Sequence, residues 1–194
     1  MQMPFDAQSD AADHVLLRRF ANGDAAAARE LTRRLTPRVF AHAMRLLGDR
    51  AEAEDVAQEA LLRLWRIAPD WREGEAKVTT WLYRVTANLA TDRLRKGRGV
   101  GLDTVPEPED GAPSADEGLQ DAARARALQA ALAALPDRQR QAVVLRHIEG
   151  LGNAEIAGIM QISAEAVESL TARGKRALTQ ALTGRRAELG YQDD

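Results

Sequence analysis

One segment near the middle of the chain cannot become part of a folded core. Residues 99–118, GVGLDTVPEPEDGAPSADEG, contain three prolines and four glycines and no aromatic residue. Between residues 99 and 121 there are seven acidic residues and no basic one. So little apolar surface cannot offset the entropy that is lost on folding. The composition predicts a flexible linker over residues 98–120, which divides the chain into two parts.

The acidic linker has two possible interpretations. It is either a solvated tether between the two parts, or an acidic strand that mimics nucleic acid in a basic channel. The composition alone favours the tether, because runs of like charge are usually solvated.

The rest of the chain shows apolar residues at helical spacing and no alternating strand pattern. The predicted fold is all-α, with two small helical domains on either side of the linker. Gly23-Asp24 and Gly48-Asp49 mark breaks between the first helices. The predicted helices cover residues 13–22, 25–47, 51–68, 78–96, 121–134, 137–148, 153–160 and 164–183.

Composition excludes several classes of function. The chain has no cysteine, which rules out disulfides and thiol chemistry and fits a reducing cytoplasm. The N-terminal residues lack the apolar run of a signal peptide, and no apolar stretch is long enough to span a membrane. The three histidines, His14, His42 and His147, are not spaced as metal ligands, so we predict no metal site and no cofactor. From the missing apolar stretch we predict no membrane insertion.

The C-terminal part carries the pattern of a helix-turn-helix. In residues 153–182, Ile156 and Met160 lie on one face of a first helix, and Ile162 lies in a short turn. Ser163 is a favourable N-cap for the helix that follows. The second helix of such a motif enters the DNA major groove.

That second helix has polar and basic residues on its outward face. Basic side chains can hold phosphates, and a glutamate can accept a hydrogen bond from a cytosine amino group. The alternative is an ordinary helical hairpin with a solvated charged face. The candidate DNA contacts are Ser163, Glu168, Ser169, Arg173, Lys175 and Arg176.

Residues 48–67 form an amphipathic helix with a second stripe opposite its apolar face. Asp55, Glu59, Leu62 and Arg66 follow one another at helical spacing on this stripe. A leucine among charged residues is either a stray exposed side chain or part of a partner surface.

Residues 79–98, TTWLYRVTANLATDRLRKGR, form a helix that a buried core does not explain. It carries a polar Asn88 at its centre and ends in the four basic residues Arg93, Arg95, Lys96 and Arg98.

Several motifs occur in a fixed order along the chain. They are AEAEDVAQEALLRLW, VTTWLYRVTANLATDRLR, the acidic linker, LPDRQRQAVVLRHIEGLGNAEIAGIMQIS and a terminal basic helix. In this order the chain resembles a bacterial RNA polymerase sigma factor of the extracytoplasmic-function (ECF) group. The resemblance implies sigma region 2 at residues 13–97 and sigma region 4 at residues 121–190.

The resemblance implies the following roles. Such proteins bind core RNA polymerase, direct it to promoter DNA and open the duplex, without catalytic activity of their own. The polymerase-binding residues would be Asp55, Gln58, Glu59 and Leu62. The −10 DNA contacts would be Lys77, Trp81, Arg84, Asn88, Arg93, Arg95 and Lys96.

Within that set, Asn88 would read a base edge and the cations would hold phosphates, while Trp81 would either pack in the core or stack on DNA. The loop at residues 71–78 is expected to form a pocket for a flipped base. The helix-turn-helix would read the −35 element. The resemblance also implies a cytoplasmic protein, a cognate anti-sigma factor as partner, and a linker that runs through polymerase channels.

The chain departs from the family pattern in the helix-turn-helix. Gln161 stands where the family often has glycine, so either a left-handed backbone there is strained or the turn differs. In VESLTARGKRAL, Glu168 replaces a common lysine, and Gly174 costs about 0.8–1 kcal/mol of helix stability relative to alanine. These changes predict fewer cationic DNA contacts, and the −35 sequence cannot be carried over.

Three other classes of protein share parts of this pattern. An autonomous helix-turn-helix regulator would bind duplex DNA without polymerase and would need a ligand pocket. A helical enzyme would need a convergent set of nucleophile, base and metal ligands, which the sequence lacks. A helical adaptor that binds only protein would not need basic residues at the ends of two separate helices.

Overall fold

The computed structural model describes residues 7–72, 74, 76–99 and 116–183, and every regular element in those residues is helical. The all-α prediction is confirmed. The elements are α1 (Ala7–Ala21), α2 (Ala25–Leu47), α3 (Arg50–Ile67), a 3-10 turn (Ala68–Asp70), α4 (Val78–Gly99), α5 (Asp116–Ala133), α6 (Asp137–Val143), a π-helix (Val144–Ile148), α7 (Asn153–Met160) and α8 (Ala164–Thr183).

We call α1 to α4 the N-terminal unit and α5 to α8 the C-terminal unit. Most of the predicted linker, residues 100–115, lies outside the described residues. Both ends of the predicted linker are helical instead: residues 98–99 end α4, and residues 116–120 begin α5. The sequence has acidic residues in that first turn, where they interact favourably with the positive end of the helix dipole.

The predicted break at Gly48-Asp49 has the geometry that ends one helix and begins the next. Gly48 has a φ of 77°, in the left-handed region where glycine is not strained, and its N–H donates to the Met44 carbonyl. The Asp49 carboxylate then accepts from the N–H of Glu52 at 2.8 Å and caps α3. Asp24 caps α2 in the same way, at 2.9 Å from the N–H of Ala26.

The N-terminal unit is built around leucines of α1 to α4. Leu17, Leu31, Leu35, Leu64 and Leu82 are fully or almost fully buried in one cluster. Each such side chain contributes about 1.5–3 kcal/mol of burial free energy. This core fixes the relative positions of α3 and α4, whose outward faces carry most of the predicted site residues.

The C-terminal unit contains the predicted helix-turn-helix. α7 ends at Gln161 and α8 begins at Ala164. Ile156, Ile159, Met160 and Val167 are buried together between the two helices. This packing holds α8 with most of its length exposed.

Candidate nucleic-acid interface

Four of the predicted site residues share one face of α3. Asp55, Gln58, Glu59 and Leu62 follow the i, i+3, i+4, i+7 spacing that places side chains on one helix face. Leu62 is 41% exposed, one of few large apolar side chains in the described residues with that much contact to solvent. We call these four residues the α3 face. It is an acidic surface around an exposed leucine, which suits a protein partner.

The carboxylates of the α3 face lie near arginines of its own unit. Glu59 accepts a hydrogen bond from Arg63 at 2.8 Å, and this bond holds the pKa of Glu59 below its ordinary value. Asp55 lies 3.7 Å from the guanidinium of Arg93 on α4. Both pairs are solvent-exposed and contribute little to stability, so a partner can rearrange them at low cost.

A second stripe runs along α4. Lys77, just before the helix, is followed by Trp81, Arg84, Asn88 and Arg95 at spacings of three, four or seven residues, which keeps them on one side. Arg84, Asn88 and Arg95 are exposed. We call this set the α4 stripe. It combines an amide that can bond to a base edge with cations that can bind phosphate.

Trp81 occupies the inner edge of the α4 stripe. It is half-buried against the N-terminal core, and its ring meets that of Trp71 edge-to-face with centroids 5.9 Å apart. Trp71 lies in the loop before α4. Two residues of that loop, 73 and 75, lie outside the described residues, so the predicted flipped-base pocket stays a prediction.

The remaining cations of α4 differ in their surroundings. Arg93 faces α3, where it pairs with Glu52 as well as with Asp55. Arg95 donates to Asp92 at 3.0 Å, so this carboxylate orients the arginine. Lys96 is exposed. Arg93 therefore links α4 to Asp55 of the α3 face, a contact that the sequence does not reveal.

The predicted cap of α8 is present. The Ser163 hydroxyl accepts from the N–H of Ala166 at 3.2 Å. Gln161, between the two helices, has φ 53° and ψ 50°, so the left-handed turn forms without glycine. The Glu155 carboxylate accepts from the N–H of Gly152 at 3.1 Å and secures the start of α7.

The outward face of α8 carries the other predicted contacts, all of them exposed: Glu168, Ser169, Arg173, Lys175 and Arg176. Two of these are engaged locally. Glu168 accepts from the Asn153 side chain at 3.1 Å, and Arg173 donates to the Ser169 carbonyl at 3.2 Å. Both bonds are at the surface and can be exchanged for contacts to DNA.

Gly174 faces inward, and its effect on stability depends on packing as well as on helix propensity. A Cβ at this position would lie 2.5 Å from Val143 Cγ2 and 3.3 Å from the Gln139 carbonyl oxygen. The glycine weakens α8 as an isolated helix, but it allows α8 to approach α6 closely.

Comparison with known protein families covers both units. The Sigma-70 region 2 model matches residues 31–99, and the Sigma-70 region 4 model matches residues 125–178. The chain is 36% identical over 165 residues to the ECF RNA polymerase sigma factor SigE of Mycolicibacterium smegmatis, covering 81% of this chain and 63% of that protein. It is 31% identical over 156 residues to SigW of Bacillus subtilis, covering 75% of this chain and 83% of SigW.

The chain belongs to the ECF group of RNA polymerase sigma factors. Its fold is similar to that of the sigma factor RpoE from Bartonella quintana, solved with the anti-sigma factor NepR, at a TM-score of 0.63 and 23% identity. That similarity covers 80% of this chain and 96% of RpoE.

Other kinds of site find no support in the described part of this sigma factor. No helix in the described ranges is long and apolar enough to cross a membrane. Its described residues contain no cluster of three or more histidine and acidic side chains that could hold a metal ion. His147 is exposed. Partial burial of its ring and the nearby charges of Lys175 and Arg146 lower the pKa of His147.

Proposed function

We propose that this chain binds core RNA polymerase, directs it to specific promoters and opens the DNA there, without catalytic activity of its own. The observation that carries the proposal is the arrangement of the N-terminal unit. An acidic face with an exposed leucine on α3 lies beside a polar and basic stripe on α4, and Arg93 connects the two. A chain with such neighbouring surfaces can hold a protein partner and DNA at once.

The α3 face is the proposed polymerase-binding surface. Leu62 supplies the apolar contact, and Asp55, Gln58 and Glu59 surround it with polar groups. An apolar anchor within a polar rim is the common anatomy of a specific interface. Residues 13–97, as sigma region 2, would hold this surface and the −10 contacts together.

The α4 stripe is the proposed −10 surface. Opening DNA requires unpaired bases to be held away from the stack, and this needs edge contacts together with backbone charge. Asn88 is the base-edge reader, and Lys77, Arg84 and Arg95 of the stripe bind phosphates. Arg93 and Lys96 of the same helix also bind phosphates. Trp81 is half-buried, so its role is to support the stripe, with at most an edge available for stacking.

The exposed face of α8 is the proposed −35 surface, within sigma region 4 at residues 121–190. Arg173, Lys175 and Arg176 bind phosphates, while Glu168 and Ser169 reach base edges. Ser163 acts as the helix cap and positions the first turn. The acidic segment between α4 and α5, residues 100–115, joins the two regions and is proposed to follow a positively charged path on polymerase.

A cognate anti-sigma factor is the proposed regulator. RpoE was solved in complex with the anti-sigma factor NepR, and this chain shares its fold. An anti-sigma factor that covers the α3 face would keep the chain from polymerase. The site of action of this chain is then the cytoplasm, where polymerase and DNA are found.

A separation-of-function experiment tests the proposal. Asn88→Ala should leave the affinity for core polymerase unchanged and reduce promoter opening, measured by permanganate footprinting. Asn22→Ala is the matched control, because Asn22 is exposed in the α1–α2 turn, away from both surfaces. If Asn88→Ala opened the promoter as well as the wild type does, Asn88 would not be the base reader.

The complementary variant addresses the α3 face. Asp55→Asn with Glu59→Gln should weaken polymerase binding, measured by titration of labelled chain into core enzyme. Glu54→Gln with Asp70→Asn is the control, because it removes the same charge from exposed positions outside the face. Equal affinity for both double variants would contradict the assignment of the α3 face.

A further inference from the structure

The Glu168 carboxylate on the outward face of α8 is held by a neutral donor. It accepts a hydrogen bond from the side-chain amide of Asn153 at 3.1 Å, and Asn153 is the first residue of α7. Glu168 is exposed, while Asn153 is partly buried. The bond therefore joins the exposed face of α8 to the helix that precedes the turn.

This neutral partner distinguishes Glu168 from surface carboxylates of the N-terminal unit. Glu59, for example, pairs with Arg63 one turn away on the same helix. Glu168 has Ala172 at the corresponding position, and in the described part of the chain it forms no ion pair. The Asn153 amide fixes the direction of the carboxylate without neutralising its charge. A carboxylate has about four acceptor positions, so it can still accept from a donor on a partner.

The packing between α7 and α8 determines where the Asn153 amide lies. The hydrogen bond that secures the start of α7 is directly before Asn153 in the chain. Three residues further, Ile156 is fully buried and shares one cluster with Val167, which is also fully buried. Val167 is the neighbour of Glu168 in α8. Because these buried residues lock the two helices together, they also set the distance between the Asn153 amide and the Glu168 carboxylate.

A fixed and charged carboxylate discriminates between bases in the major groove. An ionised carboxylate only accepts hydrogen bonds, so its partner on the base has to be a donor. Cytosine and adenine present such a donor in the major groove, their exocyclic amino group, whereas guanine and thymine present acceptors there. The carboxylate of Glu168 therefore suits a cytosine or an adenine on the strand that it faces.

Cytosine is the better of these two partners. Adenine presents the N7 acceptor beside its amino group, and this acceptor repels the second carboxylate oxygen. Cytosine has no acceptor at that place in the major groove. A guanine or a thymine would leave the carboxylate desolvated without a donor, which costs more than the loss of one contact. The bond from Asn153 strengthens the selection, because it keeps Glu168 from turning away from an unsuitable base.

We propose that Asn153 is a positioning residue that fixes Glu168 for a cytosine, so that the −35 element of this chain has one position at which Glu168 selects cytosine. The cations of α8 bind phosphates, which carry no sequence information directly, so they do not supply this preference. The inference rests on the proposed function, because a −35 preference exists only if α8 enters promoter DNA.

Selection from a promoter library tests the role of Glu168. The full chain is combined with core polymerase and a pool of promoters with a randomised −35 region, each with a transcribed barcode that identifies its −35 sequence. Sequencing of the transcripts then gives the base preference at every position. For the wild type, cytosine should exceed guanine at least about tenfold at one position. Glu168→Gln should move the preference there to adenine, because glutamine bonds to adenine N6 and N7.

Asn153→Ala tests the positioning role in the same selection. The variant keeps the Glu168 carboxylate and removes the amide that orients it. The cytosine preference should fall at least about threefold, as expected from the loss of one hydrogen bond, while the other −35 positions keep their base preferences. A bond with a structural role alone would instead weaken transcription from all −35 sequences to the same extent.

Glu165→Gln is the matched control for the loss of charge. Glu165 is exposed in the first turn of α8, and a hydrogen bond from the Ser163 hydroxyl lowers its pKa. The variant removes the same negative charge from the same helix as Glu168→Gln, so it changes the repulsion between α8 and DNA phosphates in the same direction. It should leave the cytosine preference at the wild-type value.

Three results would overturn the inference. They are base preferences that are the same in Glu168→Gln and the wild type, a wild-type preference for guanine or thymine at the position that changes, and an unchanged cytosine preference in Asn153→Ala. Selection of random duplex DNA by the full chain without polymerase is run in parallel. If the wild type gives no chain-dependent transcripts, the proposed function fails, and the duplex selection then decides on Glu168 and Asn153 by the same criteria.

Discussion

Gln161 adopts a backbone conformation that costs free energy for any residue with a side chain. Its φ of 53° lies in the left-handed region, and it is the single non-glycine residue of the described chain with positive φ. The turn needs this backbone geometry to orient α8 relative to α7, so the fold keeps the unfavourable conformation of Gln161. Gln161→Gly should raise the free energy of unfolding by about 1 kcal/mol, measured by urea denaturation. A decrease would mean that the exposed Gln161 side chain makes a stabilising contact of its own.

At Gly174, the replacement that helix propensity favours is opposed by packing. Alanine would strengthen α8 by about 0.8–1 kcal/mol as an isolated helix, but overpacking against Val143 costs about 1–3 kcal/mol. Gly174→Ala should therefore destabilise the chain by about 1 kcal/mol in urea denaturation. Adding Val143→Ala should reduce the effect of Gly174→Ala, because the nearest contact is removed. If Gly174→Ala stabilises the chain, α8 is free to move away from α6.

The surroundings of Glu149 predict that the stability of the fold depends on pH. Burial alone would raise its pKa, but the bonds to His42 and Tyr83 and the charge of Arg45 outweigh burial and lower it below 4.5. Burial and the Glu149 charge raise the pKa of Tyr83, while Arg38 and Arg45 oppose this, and the phenol stays protonated. A lowered carboxyl pKa stabilises the fold above the unfolded value, and this stabilisation is lost as pH falls through the folded value.

The difference in thermal midpoint between wild type and Glu149→Gln isolates this contribution. It should stay constant between neutral pH and the ordinary pKa of 4.5 and shrink below it. Other carboxylates titrate equally in both proteins and cancel. A difference that remains the same in acid would show that Glu149 contributes through its shape and neutral bonds.

Helices with strong end signals could be predicted from the sequence nearly to the residue. The predicted ranges 25–47, 153–160 and 164–183 coincide with α2, α7 and α8. Aspartate and glycine punctuation, or a serine cap, fixes at least one end of each of these helices. α5 begins at Asp116 and not at residue 121, because the acidic composition that indicated a linker also suits the first turn of a helix.

Other features required the packed chain. The predicted helix 137–148 divides into α6 and a π-helix, and no periodicity of the sequence distinguishes an i to i+5 turn. Glu149 and His42 are 107 positions apart, so their contact leaves no local pattern. Arg140 resembles an exposed helical arginine by spacing, and only packing shows that it is buried against α2.

The residues of the candidate surfaces were easier to predict from the sequence than the contacts between the helices that carry them. Leu62 stood out because an apolar residue interrupted a charged stripe, and it is exposed. Asn88 stood out because an amide interrupted a helix with an otherwise good core face, and it is exposed as well. The bridge made by Arg93 between α3 and α4 joins residues 41 positions apart, which spacing within one helix cannot indicate.

The chain as a whole achieves DNA binding without a large positive charge. Its net charge is −2, so its cations act through local concentration on α4 and α8 and not through the overall field. We therefore expect the chain to bind DNA weakly by itself and to depend on polymerase for the additional contacts that make promoter recognition productive.

The most direct test of this account is a pull-down of purified bacterial core RNA polymerase by the chain, followed by run-off transcription from a genomic promoter library. We expect a stable complex and transcripts from a limited set of start sites that depend on the chain. Absence of polymerase binding, together with tight duplex-DNA binding by the chain alone, would contradict it and identify an autonomous regulator.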